Sequence, residues 1–304
     1  MVTLSQWVNS WIERRSIRLA PQTISGYRTI LRKYIASSDV GKTQIGDLTP
    51  EELIVLLSPI LANGYSRQAQ LTQILINAAL RDAVRQRIIP WNPMDCVDKI
   101  HHRKRSAVWL SADEAIQLLE SARISGDPFY PAWVLGLCCG LRRGEILGLK
   151  WADIDFTAST MHIQRQRIRV DGRILETPPK SDSSNRVIPL AEPVREQLRK
   201  IRRIGASYVL EQDGQPLTDK ALEHGLDIAI DRAGIRRITL HGMRHTMAAT
   251  AATNGVPIKI LQSIMGHAQY STTADIYAHV DRSAMIDAVE TVAKTTMCAR
   301  LEIA

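Results

Sequence analysis

The most informative part of this sequence is residues 241–250, which read His-Gly-Met-Arg-His-Thr-Met-Ala-Ala-Thr. Thr239 can cap a helix just before this stretch, and Asn254-Gly255 can end that helix after it. His241 and Arg244 then fall on the first turns, where free backbone N–H groups and the helix dipole favour an anion. The fork of an arginine matches phosphate oxygens, so the stretch predicts a phosphate site.

A metal site is the alternative interpretation of the same residues. His241 and His245 are four residues apart and would share a helix face, as zinc ligands can. The glutamate of an HExxH motif is missing, however, and Arg244 would place a fixed cation beside the ion. We therefore favour the phosphate and predict neither a metal nor another cofactor.

Composition and charge narrow the class of protein. The 304 residues are enough for about two domains. Lys and Arg number 39 against 31 Asp and Glu, a net charge of +8, which favours a polyanionic partner such as nucleic acid. The chain shows neither a membrane-spanning apolar run nor a signal-peptide core, and its four cysteines lack CxxC spacing. These features predict a cytoplasmic protein with reduced thiols.

The first part of the chain, residues 1–95, reads as helices throughout. Ser5 is the predicted cap of the first helix, Pro21 begins the second, and Thr49-Pro50-Glu51-Glu52 is a capping box for the third. The fourth is predicted over residues 66–87, with these residues facing inward: Leu71, Ile74, Leu75, Ala78 and Val84. Residues 96–108, which are rich in basic side chains, are predicted to form an interdomain linker.

A second, mostly helical domain is predicted over residues 109–290. Ser111 caps its first helix, with Glu114 completing a capping box. A small antiparallel sheet is expected from three short apolar segments and an Asp171-Gly172 turn. Those segments are residues 161–163, 168–170 and 186–189. The fold class is therefore mainly α, with one small β-sheet in the larger domain.

Four motifs occur in a fixed order across this second domain. They are Gly140-Leu141-Arg142-Arg143-Gly144-Glu145, the segment Pro179-Lys180-Ser181 with Ser184-Asn185-Arg186-Val187-Ile188-Pro189-Leu190, His241-Gly242-Met243-Arg244-His245, and residues 264–280 with Met265-Gly266-His267 and Tyr277-Ala278-His279-Val280. Together they resemble the tyrosine recombinases of the phage-integrase family, and Arg244 and Tyr277 stand 33 residues apart as in that family. Residues 1–95 are similar to the family's core-binding DNA domain.

The resemblance implies a metal-free and ATP-free cutting and rejoining of DNA through a 3′-phosphotyrosine. Tyr277 would attack the phosphodiester, although a phenol of pKa about 10 is only ~0.1% ionised at pH 7. His241 and His267 would assist its deprotonation or bind the phosphate. Arg142 and Arg244 would bind the non-bridging oxygens, and Lys180 would protonate the leaving 5′-oxygen. Glu145 would orient its neighbours.

Each of these residues also has a purely structural interpretation. Arg142 can form a salt bridge with Glu145, Tyr277 can be a packing residue, and Lys180 can be an ordinary exposed lysine. We expect His245 and His279 to be structural and Arg143 to face away from the site. The ordered motifs favour catalytic roles for six residues: Arg142, Lys180, His241, Arg244, His267 and Tyr277.

Three functions remain open at this point. The favoured one is an integrase of a phage or other mobile element, and the nearest alternative is a Xer-like recombinase that resolves chromosome or plasmid dimers. A non-catalytic DNA-binding regulator is the third. The expected partners are double-stranded DNA attachment sites, further copies of the chain in a tetramer, and an accessory directionality factor. We expect the chain in the bacterial cytoplasm at the nucleoid, with its tail 291–304 on a neighbouring subunit.

Overall fold

The computed structural model describes residues 2–102, 108–179, 182–202, 205–212 and 214–266. The chain forms two compact units, one chiefly from residues 1–105 and the other from residues 106–304. Among the described residues, none of the helices combines the length and apolar character that spanning a bilayer requires.

The first unit is helical. Its helices are α1 (Leu4–Arg15), α2 (Pro21–Ile30), α3 (Pro50–Ala62) and α4 (Ser66–Arg85), and α2 continues into a π-helical turn, Leu31–Ile35. The predicted capping box of α3 is confirmed, since Thr49 Oγ1 accepts from Glu52 N at 3.2 Å and Glu52 Oε2 from Thr49 N at 3.0 Å. The predicted cap of α1 is wrong: Thr3, not Ser5, is the cap, because Gln6 completes a capping box with Thr3.

Helix α4 forms one wall of the core of the first unit. Its buried stripe includes Leu75, Ile76, Ala79, Leu80 and Ala83. The prediction was correct for Leu75 but wrong for Ile74, which is 46% exposed. Leu71, Ala78 and Val84 are partly buried against the core, and Trp7 donates from Nε1 to Ala79 O on the buried side of the helix at 2.8 Å.

The start of the predicted linker lies along α4. Gln73 donates to Asp98 O and accepts from Ile100 N, both at 2.8 Å. Gln70 donates to Ile100 O at 3.1 Å. Backbone groups that would otherwise need water are thus paired with side chains of α4 as far as residue 100.

The second unit combines helices with short strands. Its helices are α5 (Ala112–Ile124), α6 (Tyr130–Cys138), α7 (Arg143–Gly148), α8 (Glu192–Ile201), α9 (Asp219–Ala233), α10 (Leu240–Thr253) and α11 (Ile258–Met265). Its strands are β1 (Ile154–Asp155), β2 (Thr160–Ile163), β3 (Gln166–Val170), β4 (Arg173–Thr177), β5 (Arg186–Pro189), β6 (Glu211–Gln212) and β7 (Gln215–Pro216). The predicted capping box Ser111–Glu114 of α5 is present.

The predicted antiparallel pairing of residues 161–163 with 186–189 is confirmed, but the prediction of one sheet is wrong, since residues 168–170 belong to a separate pair of strands. β2 pairs with both β1 and β5 in the order β1-β2-β5, with Met161 opposite Ile188. β3 and β4 form a separate pair around the predicted Asp171-Gly172 turn, where both residues have positive φ. Alternation along β5 buries Arg186 on the same face as Ile188, which brings a cation into the interior.

Helix α10 packs closely against α6 in the core of the second unit. A Cβ at Gly136 of α6 would lie 3.1 Å from Met243 Sδ, so the glycine permits this approach. Trp133 of α6 and Arg244 of α10 are among the largest fully buried side chains in the described part of the protein. A buried arginine in this packing needs polar partners, and these define the candidate site.

Candidate active site

Helix α10 positions the first group of predicted residues. Thr239 caps it as predicted, accepting from Gly242 N at 3.0 Å, and Asn254 ends it. His241 lies on the first turn and is exposed at the surface. The ring of His245, one turn later, meets the His241 ring edge-on, with their centroids 4.6 Å apart and an interplanar angle of 84°.

Arg244 points from the same helix into the protein and is completely buried. Its Nη1 donates to Gly140 O at 2.5 Å and its Nη2 to Met265 O, which ties α10 to the end of α6 and the end of α11. Its Nε has no partner among the described residues. Burial, with the charge of Arg142, lowers the pKa of Arg244 to about 9, so it stays cationic at pH 7. A buried cation with an unused donor is suited to bind an anion.

Arg142 lies just before α7 and is held by three groups. Its Nη1 donates to Glu145 Oε1 at 2.7 Å and to Ser184 Oγ at 3.2 Å, and its Nη2 to Gly266 O at 2.8 Å. The salt bridge with Glu145 that offered a purely structural interpretation is therefore present. The side chain is nevertheless 32% exposed, so an incoming ligand can still reach it.

Glu145 is the shared carboxylate of the cluster. Arg186 forms a second, two-bonded ion pair with it, Nη1 to Oε1 at 3.1 Å and Nη2 to Oε2 at 3.0 Å. Burial alone would raise the pKa of Glu145, but its hydrogen bonds and the charges of Arg186 and Arg142 outweigh this and lower it. The carboxylate is ionised at neutral pH and offsets part of the positive charge of three arginines.

Arg186 has no role in the sequence-based prediction. Its signal in the sequence is the alternation Arg-Val-Ile-Pro, which places it on the buried face of β5 with Ile188. An inward arginine of a strand needs a carboxylate, and Glu145 of α7 is that partner. The sequence alone does not bring α7 and β5 together.

His241 is a neutral imidazole in this environment. Although the residue is exposed at the surface, partial burial is the largest cause of a pKa lowered to about 4, with His245, Arg244 and Arg142 contributing. Burial and Arg244 also lower the pKa of His245. A neutral His241 can accept a proton or a hydrogen bond at neutral pH.

We expect this shift to make the protein sensitive to acid. The pKa of His241 falls from an ordinary 6.5 to about 4 on folding, so between these values the unfolded chain binds more protons. The stability that the neutral ring contributes is complete above pH 6.5 and is lost as the pH falls towards 4. In urea titrations at pH 7 and pH 5, His241→Gln should therefore lose less stability on acidification than the wild type. His224→Gln, which changes a histidine outside the cluster, should behave as the wild type. If all three proteins lose the same unfolding free energy between pH 7 and pH 5, the expectation is contradicted.

Gly266 closes α11 beside this cluster. Its φ of +61° is left-handed, and a Cβ there would lie 2.7 Å from Ser183 O and 3.0 Å from Arg186 Cδ. Gly234 closes α9 with nearly the same backbone, φ +65°, but has open space around it.

These two glycines form a matched pair for a stability measurement. Gly234→Ala should lower the free energy of unfolding by about 1 kcal/mol, from left-handed strain alone. Gly266→Ala should lower it by more, because the new methyl group must also displace backbone and Arg186. Urea denaturation of both variants measures the difference, and equal losses would show that the cluster does not constrain Gly266.

The structure brings three of the six predicted residues together, Arg142, His241 and Arg244. The charges of Arg142 and Arg244 both act on His241. Lys180, His267 and Tyr277 lie outside the described residues, as does His279. His267 directly follows Gly266, whose carbonyl accepts from Arg142. Arg143 faces away as expected, towards Glu223 on the surface.

Comparisons with known proteins place this arrangement in a family. The model of the phage integrase family matches residues 108–284, and that of the phage integrase N-terminal SAM-like domain matches residues 3–59. The chain is 24% identical to a "tyrosine recombinase XerC-like" protein of Caldanaerobacter subterraneus subsp. tengcongensis, over 95% of this chain and 82% of that protein.

Solved structures share the fold. The Tn1549 transposon integrase in complex with a circular intermediate DNA aligns with a TM-score of 0.82 at 22% identity, over 96% of this chain and 100% of that one. A lambda integrase tetramer bound to a Holliday junction aligns with a TM-score of 0.69 at 18% identity, over 90% and 77%. With Arg142 at the start of α7 brought together with His241 and Arg244 of α10, and with more than half of its length matched by the family model, the chain belongs to the phage integrase family of tyrosine recombinases.

Proposed function

We propose that this recombinase is the integrase of a phage or other mobile element and that it joins DNA attachment sites through a phosphotyrosine at Tyr277. The observation that supports this most strongly is Arg244, a completely buried cation with an unpartnered Nε beside the partly exposed Arg142. Two guanidinium groups in this arrangement fit the two non-bridging oxygens of one phosphodiester.

The proposed reaction exchanges one phosphodiester bond for another. The Tyr277 oxygen forms a bond to phosphorus as the bond to the 5′-oxygen breaks, leaving a 3′-phosphotyrosine. The phenol proton goes to His241, which is neutral and able to accept it. Lys180 supplies a proton to the leaving 5′-oxygen, and His267 hydrogen-bonds the phosphate. Arg142 and Arg244 stabilise the charge that develops on the phosphate in the transition state.

DNA as the partner agrees with the net charge of +8 and with a local excess of positive charge in the first unit. In the first unit, the buried carboxylate of Asp82 is surrounded by Arg14, Arg15 and Arg85, so positive charge is in excess there. We propose that the first unit and the active-site cluster bind the same duplex. We further propose that copies of the chain assemble into a tetramer on two sites, helped by an accessory directionality factor, at the bacterial nucleoid.

Integration is preferred over dimer resolution because the segment 178–186 and the His-Gly-Met-Arg-His motif resemble integrases more than Xer-like resolvases. A Xer-like resolvase has the same chemistry and remains the alternative. A DNA-binding regulator would not require a buried arginine with an unused donor.

Covalent trapping tests the proposal and its alternatives together. The protein is expressed with the genomic DNA of the organism that encodes it, denatured rapidly, and the protein-linked DNA is isolated and sequenced, with Tyr277→Phe as the blank. Adducts at one or two loci of an element and its target site support the integrase. Adducts at a chromosome-terminus or plasmid dimer-resolution site support the resolvase. DNA binding without any adduct overturns the catalytic assignment and favours the regulator.

A further inference from the structure

The end of α11 is held by three arginines from three different elements. Three consecutive carbonyls each accept a hydrogen bond from a different arginine: Ile264 O from Arg186 Nε at 2.6 Å, Met265 O from Arg244 Nη2, and Gly266 O from Arg142 Nη2 at 2.8 Å. The last carbonyls of a helix lack partners within the helix and carry the negative end of its dipole. Cations are therefore well suited to hold this end.

Arg186 differs from the other two arginines in how its donors are used. Four of its five N–H groups are engaged, by Ile264 O, Ser184 O and both oxygens of Glu145. Its side chain is only 6% exposed. Its donors are therefore used almost entirely within the protein, whereas Arg244 keeps an unpartnered Nε and Arg142 remains partly exposed.

Glu145 links Arg186 to Arg142, because it accepts hydrogen bonds from both. The same carboxylate accepts from Arg142 Nη1 at 2.7 Å and, through Oε2, from the Arg142 backbone N at 2.9 Å. Ser184 forms a second link, since its carbonyl accepts from Arg186 and its hydroxyl from Arg142. Arg186 thus contacts both the group that orients Arg142 and the end of α11.

We infer that Arg186 is a positioning residue for strand cleavage: it fixes the phosphate-binding Arg142 relative to Glu145 and the end of α11. The inference rests on the proposed function, in which Tyr277 attacks the phosphate that Arg142 binds. A misplacement of about 1 Å between reacting groups costs roughly 10²-fold in rate.

Single-turnover cleavage distinguishes a role of Arg186 in positioning from a role in folding alone. A duplex with the mapped attachment site, nicked so that the short 5′-hydroxyl fragment diffuses away, traps the covalent complex at each cut. The fraction of folded protein sets the amplitude of the reaction, and the geometry of the site sets its rate constant. We expect Arg186→Met to lower the rate constant about 10²-fold, with DNA affinity within about twofold of the wild type.

Arg165→Met is the matched control. Arg165 forms ion pairs with the buried Asp153 and with Glu176 in the same unit, and neither of these partners belongs to the cluster. It should change the amplitude and not the rate constant. Arg186→Lys keeps the buried charge but has fewer donors, so it should lose about tenfold and serves as the test if Arg186→Met does not fold.

A double-variant cycle tests the route through Arg142. If Arg186 acts through Arg142, then Arg186→Met should add little to the loss already caused by Arg142→Ala. Unchanged rate constants in the Arg186 variants, or fully additive losses, would overturn the inference. Absence of an adduct from the wild type would instead refute the proposed function, so the two failures are distinguishable.

Discussion

Replacing Tyr277 with Phe is expected to abolish the covalent protein–DNA adduct and to lower strand cleavage by more than about 10⁴-fold, as loss of a covalent nucleophile does in other enzymes. Without the phenol oxygen no bond to phosphorus can form, whatever the arginines do. DNA affinity should stay the same, because one hydroxyl group is removed and the charge of the protein at neutral pH does not change. Gel-shift titration and adduct formation on the same DNA measure both quantities.

Tyr270 provides the control for this variant. It lies seven residues before Tyr277 in the same part of the chain. Tyr270→Phe should form the adduct as the wild type does. If Tyr270→Phe loses the adduct and Tyr277→Phe keeps it, the nucleophile has been assigned to the wrong tyrosine.

The second large effect is expected at Arg244. Arg244→Lys should lower the single-turnover cleavage rate by about 10²–10³-fold, the usual cost of one transition-state donor. An ammonium group cannot donate to Gly140 O and Met265 O and also present a planar fork to a phosphate. Arg143→Ala, which removes an exposed ion pair with Glu223, should leave the rate within about twofold.

An uncharged phosphate analogue at the cleavage site tests whether the effect of Arg244→Lys depends on the charge of the phosphate. With a methylphosphonate at the cleavage position, one negative oxygen is removed, and Arg244 has less charge to stabilise. The loss caused by Arg244→Lys should then shrink markedly. An undiminished loss on the methylphosphonate would indicate that Arg244 acts through packing rather than through the phosphate.

Local signals in the sequence predicted the elements that carry the site. Thr239 and Asn254 bound α10, the capping boxes at Thr49 and Ser111 start their helices, and Arg186–Pro189 is a strand, all as predicted. Each of these depends on residues a few positions apart, so a single sequence is sufficient to find them. The error at Ser5 has the same local origin, since Thr3, two residues earlier, also has a side-chain oxygen that can cap a helix.

The long-range contacts of the site could not be predicted from the sequence. Two hydrogen-bond partners of Arg142, Ser184 Oγ and Gly266 O, lie 42 and 124 residues away from it along the chain. Two of the carbonyls that hold the cluster, Gly140 O and Met265 O, are backbone groups, which leave no residue-type signal. The grouping of Arg142, His241 and Arg244 was reached through the family resemblance, whereas the central place of Arg186 and Glu145 emerged only from the packing of α7, β5 and α11.

The most direct measurement is the chemical identity of the adduct. The trapped complex is digested with nuclease and trypsin, and the peptide of residues 260–282, which contains both Tyr270 and Tyr277, is sequenced by mass spectrometry. We predict a nucleotide linked through its 3′-phosphate to Tyr277, with a 5′-hydroxyl on the other DNA end. A nucleotide on Tyr270 or any other residue, or a 5′-phosphate linkage, would contradict this account.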